Sequence, residues 1–244
     1  MSHVLAITQR ELRSVFTTPV AYVFILIFLM SSATLTFFVG DLYERNQADL
    51  VHFFTLLPWL FLFLVPAIGM RTWSEERKLG TIELLMTLPI SLFSAVMGKF
   101  LASWLVIGLS LLLTFPLWLT VAYLGEPDLG VVITGYFGSW LMASAFLAIT
   151  MFMSALNKNQ VVAFILGVSV CFLFVVIGSN GVLNTLSTYT NNTVLDTLAS
   201  FSFLSRFDSM ARGVIALDDV VYFLLFTVIW LSMSLFAINM KKAD

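Results

Sequence analysis

The chain has 244 residues, 12 Lys and Arg against 14 Asp and Glu, only 11% charged residues and a mean hydropathy of +1.00. Soluble domains carry about a quarter of their residues as charges, so this composition excludes an ordinary soluble globule and indicates an integral membrane protein. A net charge of -2 without a basic cluster interleaved with aromatics gives no sign of a nucleic-acid partner, and the single cysteine, Cys171, excludes a disulfide within the chain.

Residues 1–18 alternate Val4, Leu5, Ile7, Leu12, Val15 and Phe16 with Gln9, Arg10, Glu11 and Arg13. That pattern suits either a helix lying in the membrane interface or a plain flanking tail. The apolar run that follows is too long for a signal peptide and lacks a small-residue cleavage site, which predicts an uncleaved first span. Pro19 stands where the first turn of a helix tolerates a missing N–H.

Six runs, at 20–40, 53–70, 95–124, 131–155, 161–179 and 220–240, approach the length needed. Crossing a hydrocarbon core about 30 Å thick takes about 20 helical residues. The third run is overlong and contains Pro116, so it is expected to tilt, kink or protrude. Counted from a cytoplasmic N-terminus, the inner segments hold Arg10, Arg13, Arg71, Arg77, Lys78, Lys99, Lys158, Lys241 and Lys242, and the outer ones only Arg45, Arg206 and Arg212. This asymmetry predicts both termini in the cytoplasm.

Between the second and third runs, residues 71–92 hold the densest charge in the chain, with Arg71, Trp73, Glu75, Glu76, Arg77, Lys78, Gly80, Thr81 and Glu83. A helix there, with Trp73 and Leu79 on one side and the charges of Glu75 to Lys78 on the other, could seat apolar side chains in a partner's groove while charges set register. It could equally rest on the anionic inner leaflet through Arg71, Arg77 and Lys78. Gly80 permits a turn, and Pro89 with Ser91 could start the next helix.

Segment 180–219 is apolar enough over 193–204 to touch lipid and too interrupted to span it, so a re-entrant or surface-lying helical segment on the outer side is expected. Asn191-Asn192-Thr193 matches a glycosylation acceptor only by a pattern that is frequent by chance. Asp208 and Arg212, spaced i,i+4, could form a helix-supporting pair on the outer side, which is favoured over the alternative of a substrate contact. Ala163, Gly167 and Cys171, and Ser139 with Ala143, place small residues every four positions, which suits packing within one bundle or a dimer interface.

No G-x-x-x-x-G-K-[ST] loop is present to cradle ATP phosphates. His3 and His52, the two histidines, have no metal ligand or nucleophile at useful spacing. The expected spans lack ionisable residues away from their ends, which weighs against a proton- or sodium-coupled carrier. Energy must therefore enter from elsewhere.

The run Glu75-Glu76-Arg77-Lys78-Leu79-Gly80-Thr81-Ile82-Glu83-Leu84-Leu85, then Thr87-Leu88-Pro89-Ile90-Ser91 and Gly98-Lys99, resembles the cytoplasmic signature of ABC-2 type ABC-transporter permeases. Residues 159–164, 207–215 and 219–223 look like those of the bacterial gliding-motility (Gld-type) permease branch. The resemblance covers nearly the whole chain and implies one all-α integral membrane domain over 1–244. It implies six transmembrane helices, a cytoplasmic coupling helix between the second and third, and a short re-entrant helical pair between the fifth and sixth. It further implies a second permease subunit, as homo- or heterodimer, and two copies of a separate ABC ATPase that carries ATP and Mg.

The expected function is therefore a permease subunit of the bacterial inner membrane, with no catalytic or metal residue of its own, that converts ATP hydrolysis on its partner into translocation. The alternative is a mechanotransmitting scaffold acting on a periplasmic partner, and an accessory subunit with a periplasmic domain fits either. Charge reversal at Glu76 and Arg77 is expected to release the ATPase while leaving the bundle folded.

Overall fold

The computed structural model describes residues 3–40, 49–87, 90–187 and 197–240. Arg45, Leu88 with Pro89, the Asn191-Asn192-Thr193 triplet, Lys241 and Lys242 lie outside the described residues. All regular structure among the described residues is helical. The helices are α1 (His3–Thr17), α2 (Pro19–Thr34, prolonged by a π-helical turn Leu35–Val39), α3 (Val51–Gly69), α4 (Arg71–Leu79), α5 (Thr81–Thr87), α6 (Leu92–Leu112), α7 (Phe115–Leu124), α8 (Leu129–Leu156), α9 (Gln160–Val176), α10 (Asn180–Ser187), α11 (Phe203–Ala211) and α12 (Leu217–Met240).

Among the described residues, five helical stretches are long and apolar enough to cross a membrane: Pro19–Val39, Val51–Leu79, Leu92–Leu124, Leu129–Leu156 and Leu217–Met240. The expected span at 161–179 is the shorter α9, with 17 residues. That is about 26 Å of helix, at the lower limit for a crossing. Met70 keeps helical backbone angles, so α4 continues α3 rather than standing apart as a separate connector. The combined helix of 29 residues is about 43 Å long, and its charged last turns overshoot an apolar core of about 30 Å.

Local signals explain the boundaries. Pro19 opens α2, and the Ser91 hydroxyl accepts from the Ser94 amide to cap α6. Gly80 ends α4 at φ 71°, a left-handed conformation that costs glycine little. The overlong third run breaks at Leu113–Thr114, with Pro116 in the first turn of α7. The Thr114 hydroxyl closes that break, donating to the Leu111 carbonyl at 2.6 Å and pairing with the Tyr136 hydroxyl at 2.9 Å.

The core is organised around α8, whose residues Ala143 to Thr150 are all buried. Thr150 packs between two glycines: a Cβ on Gly69 of α3 would lie 2.9 Å from its Cγ2, and one on Gly167 of α9 would lie 3.1 Å away. Ala163, Gly167 and Cys171 are buried, and Cys171 Sγ lies 3.9 Å from the Phe146 carbonyl of α8. The small residues of α9 therefore serve packing within this chain, where van der Waals contact substitutes for a hydrophobic force that lipid does not supply. Between α6 and α8, Trp104 and Trp140 stack at 3.9 Å, and each indole N–H donates to the other's carbonyl, at 3.0 and 3.3 Å.

At the end of the bundle where α8 and α12 begin, α11 folds inward. Phe203, Phe207, Met210 and Ala211 are its buried face, and Gly138 of α8 leaves room for Met210. Gly178, just past α9, is in turn crowded by Ser202, the N-cap of α11. Phe203 has no exposed surface and sits among Phe146, Phe174, Tyr222, Phe223 and Phe226.

Candidate functional site

The charged segment lies at the opposite end, where α1, α4 and α5, the start of α6 and the end of α8 meet. Helix α1 is amphipathic and lies along α6, drawn in by Gly98: a Cβ there would come within 2.6 Å of Ile7 Cγ2. The buried Thr8 hydroxyl donates across this contact to the Gly98 carbonyl at 3.2 Å. Close approach of the two helices brings Glu11, one turn after Ile7, beside Lys99, the residue after Gly98.

Lys99 is the hub. Its side chain is 4% exposed, and its ammonium donates to Glu76 Oε1 at 2.9 Å and to Glu11 Oε1 at 3.2 Å. It also lies 5.3 Å from the ring of Trp73. Arg10 closes the cluster, with Nη2 2.6 Å from Glu11 Oε1 and 3.8 Å from Glu76 Oε1. Two cations thus balance two carboxylates drawn from α1, α4 and α6. Glu76 Oε2 and Trp73 Nε1 are buried and have no hydrogen-bond partner among the described residues.

A second fastening ties α4 to α8. The Ser154 hydroxyl accepts the amides of Trp73 at 3.1 Å and Ser74 at 2.9 Å while donating to the Met70 carbonyl at 2.7 Å. It thereby serves three backbone groups where α3 passes into α4. Arg77 donates from Nη1 to the Ala155 carbonyl. Arg71 and Glu75 pair along α4, with Nε 3.0 Å from Oε2.

These contacts divide the sequence-derived set. Trp73, Glu75, Glu76, Arg71 and Arg77 are turned toward the chain itself, whereas Lys78, Leu79, Gly80, Thr81 and Glu83 are exposed at the tip formed by α4 and α5. The expectation that Trp73 seats in a partner's groove is corrected, because Trp73 is fully buried beneath Lys99. Leu79, 67% exposed, is the apolar side chain of that pair that remains presented. Reversing Glu76 and Arg77 would strike the Lys99 cluster and the Ala155 contact, so the bundle itself would suffer. Sequence reasoning placed Lys99 in the Gly98-Lys99 motif but did not pair it with Glu11 or Glu76, and it did not single out Ser154. A lone lysine two turns inside an apolar helix was the available signal for the cluster.

Two consequences are measurable. Ser154→Ala leaves the amides of Trp73 and Ser74 without that acceptor, and a buried unsatisfied group costs about 1–3 kcal/mol. Faster hydrogen exchange confined to α4, with the remaining helices unchanged, is the expected result, and unchanged exchange there would contradict the capping role. For Glu11, burial opposes ionisation, but the Lys99 and Arg10 charges outweigh it and hold the carboxyl below its ordinary range. A depressed carboxylate pKa stabilises the fold above the ordinary value, and that stabilisation is lost as pH falls through the depressed one. Exchange in α1 should accordingly stay slow while ordinary carboxylates protonate and rise only at more acid pH. With Glu11→Gln the acid-dependent rise should be blunted.

The family model for "ABC-2 family transporter protein" matches residues 5–242. The chain belongs to the ABC-2 transporter family. No curated protein matches it. As an ABC-2 permease component it is the membrane subunit and not the ATPase, and such subunits typically pair with an ABC ATPase. Its several apolar helices make this permease a multi-pass membrane protein.

At the other end of the permease, Arg206 of α11 joins the start of α12. Its Nη1 lies 3.0 Å from Asp218 Oδ2 and 3.1 Å from Asp219 Oδ1, its Nε donates to the Ser200 carbonyl, and its guanidinium covers the Tyr222 ring at 5.5 Å. Asp219 is buried and also accepts from the Ser209 hydroxyl. Asp208 and Arg212 do form the expected i,i+4 pair, exposed at the surface. The tighter anchoring of α11 comes from Arg206 and Asp219, which the sequence did not single out.

Proposed function

We propose that this chain is the membrane-spanning half of an ATP-driven transporter of the gliding-motility-like branch, worked from the cytoplasm through the tip of α4 and α5. In this reading α9 with the turn through Gly178 supplies the fifth of six transmembrane helices in the bacterial inner membrane. Both termini and the tip face inward, a placement supported by Arg10, Arg13, Arg71, Arg77, Lys78, Lys99 and Lys158 at one end and Arg206 and Arg212 at the other. Two such subunits pair, and two ATPase copies holding ATP and Mg dock beneath them.

The observation that carries the reading is the division of segment 71–83. Its distal part is presented, and its proximal part is bolted to α1, α6 and α8 through Lys99, Ser154 and Ala155. A displacement of Lys78 to Glu83 by a partner would reach several spans as one rigid movement. The test is co-purification of the ATPase with Leu79→Asp and Lys78→Glu, whose side chains lie on the surface. An apolar anchor worth about 2 kcal/mol corresponds to roughly thirtyfold weaker retention, with the melting temperature unchanged. Undiminished retention in both variants would overturn the assignment.

A second reading, force transmission to a periplasmic partner or accessory subunit without a transported solute, is favoured by the outer end. There Phe201, Val214, Ile215 and Leu217 are exposed around the Arg206–Asp219 anchor. Charged substitutions at Val214 and Leu217 that abolish partner retrieval but not solute flux would support it.

A further inference from the structure

We propose that the space between α1 and α4 binds a zwitterionic phospholipid, with the headgroup in a charged chamber and the first carbons of an acyl chain in the apolar slot beside it. The chamber holds about 580 Å³ and is lined by Arg10, Glu11, Arg71, Glu75, Glu76 and Lys99. Ligand sites commonly enclose roughly 300–1,000 Å³. Glu11, Arg71 and Glu75 also border a narrower space of about 90 Å³, whose other walls include Val15, Ala21, Phe24 and Ala67. A polar chamber sharing a wall with an apolar slot fits an amphiphile rather than a soluble ion. The amphipathic α1 helix that forms one side places the chamber at headgroup depth.

Charge selects the headgroup. Arg10, Arg71 and Lys99 stand against Glu11, Glu75 and Glu76 around the chamber, so a neutral zwitterion preserves the balance that an anionic lipid would upset. Arg71 commits Nε and Nη2 to Glu75, and Arg10 commits Nη2 to Glu11. Each guanidinium has five N–H donors, so both retain hydrogens for a phosphate. Glu75 and Glu76 on the chamber wall supply carboxylates for the headgroup ammonium.

The assignment rests on the membrane reading above but not on the ATPase. The full chain, delipidated in detergent, is mixed with phosphatidylethanolamine, with phosphatidylglycerol of the same acyl chains, or with soluble glycerophosphoethanolamine, and bound ligand is read by native mass spectrometry. The expected result is retention of phosphatidylethanolamine at least about tenfold above both others, a difference of about 1.4 kcal/mol. Ala21→Trp, which fills the slot without touching a charge, and Arg71→Gln, which removes phosphate donors, should each lower retention about tenfold. Arg71 and Glu75 are a partly exposed i,i+4 pair of small stabilising worth, so Arg71→Gln should melt as the parent does.

Equal retention of phosphatidylglycerol would overturn the zwitterion assignment, and equal retention of the soluble headgroup would overturn the lipid. Unchanged binding in a folded Ala21→Trp protein would overturn the site. Lys78→Glu, the ATPase-docking variant whose side chain lines neither the chamber nor the slot, should bind the lipid normally, so failure of one proposal is distinguishable from failure of the other.

Discussion

Lys99→Met is expected to destabilise the protein by about 3–5 kcal/mol, the range for removing one partner from a buried ion pair. The cost comes less from the lost attraction than from what remains. Glu11 and Glu76, with side chains only 20% and 17% exposed, would face each other without the ammonium that neutralises them both. Arg10 is too exposed to replace it. Helix α1 would lose its tie to α4 while keeping the Ile7–Gly98 packing, so it should become protease-sensitive before the bundle melts. Thermal unfolding in detergent and limited proteolysis of α1 check this. Adding Glu11→Gln and Glu76→Gln to Lys99→Met should restore much of the loss, since neutral groups carry a far smaller desolvation cost. A Lys99→Met protein that melts like the parent would remove the cluster from any role in holding α1 and α4 together.

Phe203→Ala is expected to cost about 3–5 kcal/mol, as for other large-to-small core truncations. In a lipid-embedded bundle the leading contribution is the void, because apolar transfer drives little between helices there. Phe203 is fully enclosed by rings from α8, α9 and α12, so its removal empties a site that four helices share. Collapse is resisted by Gly178 against Ser202 and by Arg206 against Asp219, which hold both ends of the segment in place. Thermal unfolding should show the loss, and cysteines placed on the buried face of α11 should become labelled by a membrane-impermeant thiol reagent. Phe203→Leu, which keeps most of the volume, should behave close to the parent. Equal stability of the alanine and parent proteins would mean that α11 is not seated as described.

Much of the frame was legible without coordinates. Composition alone placed the chain in a membrane. Apolar run length located five of the candidate spans, and Pro19, Gly80, Ser91 and Pro116 marked helix ends because their backbone preferences act within a turn. The α9 region was read as longer than its 17 helical residues, since hydropathy continues through Ile177 where the helix does not. The charged segment was recognised as the distinctive feature, but its inward and outward faces were not. Trp73 and Leu79 look equivalent in a helical projection. Only the neighbouring helices decide that one lies under Lys99 and the other meets solvent.

What the sequence by itself determined is whatever depends on near neighbours along the chain: hydrophobic runs, caps, turns, the Asp208–Arg212 pair and the overall charge asymmetry. The tertiary structure alone decided which charges meet. Glu11, Glu76 and Lys99 come from three helices, the Ser154 hydroxyl reaches amides 80 and 81 positions away, and Arg206 crosses from α11 to Asp219 on α12. The reason is physical. A buried charge or an orphaned amide must be satisfied, yet many partners in the chain could satisfy it, and helix packing around Gly98, Thr150 and Gly178 selects the ones that do.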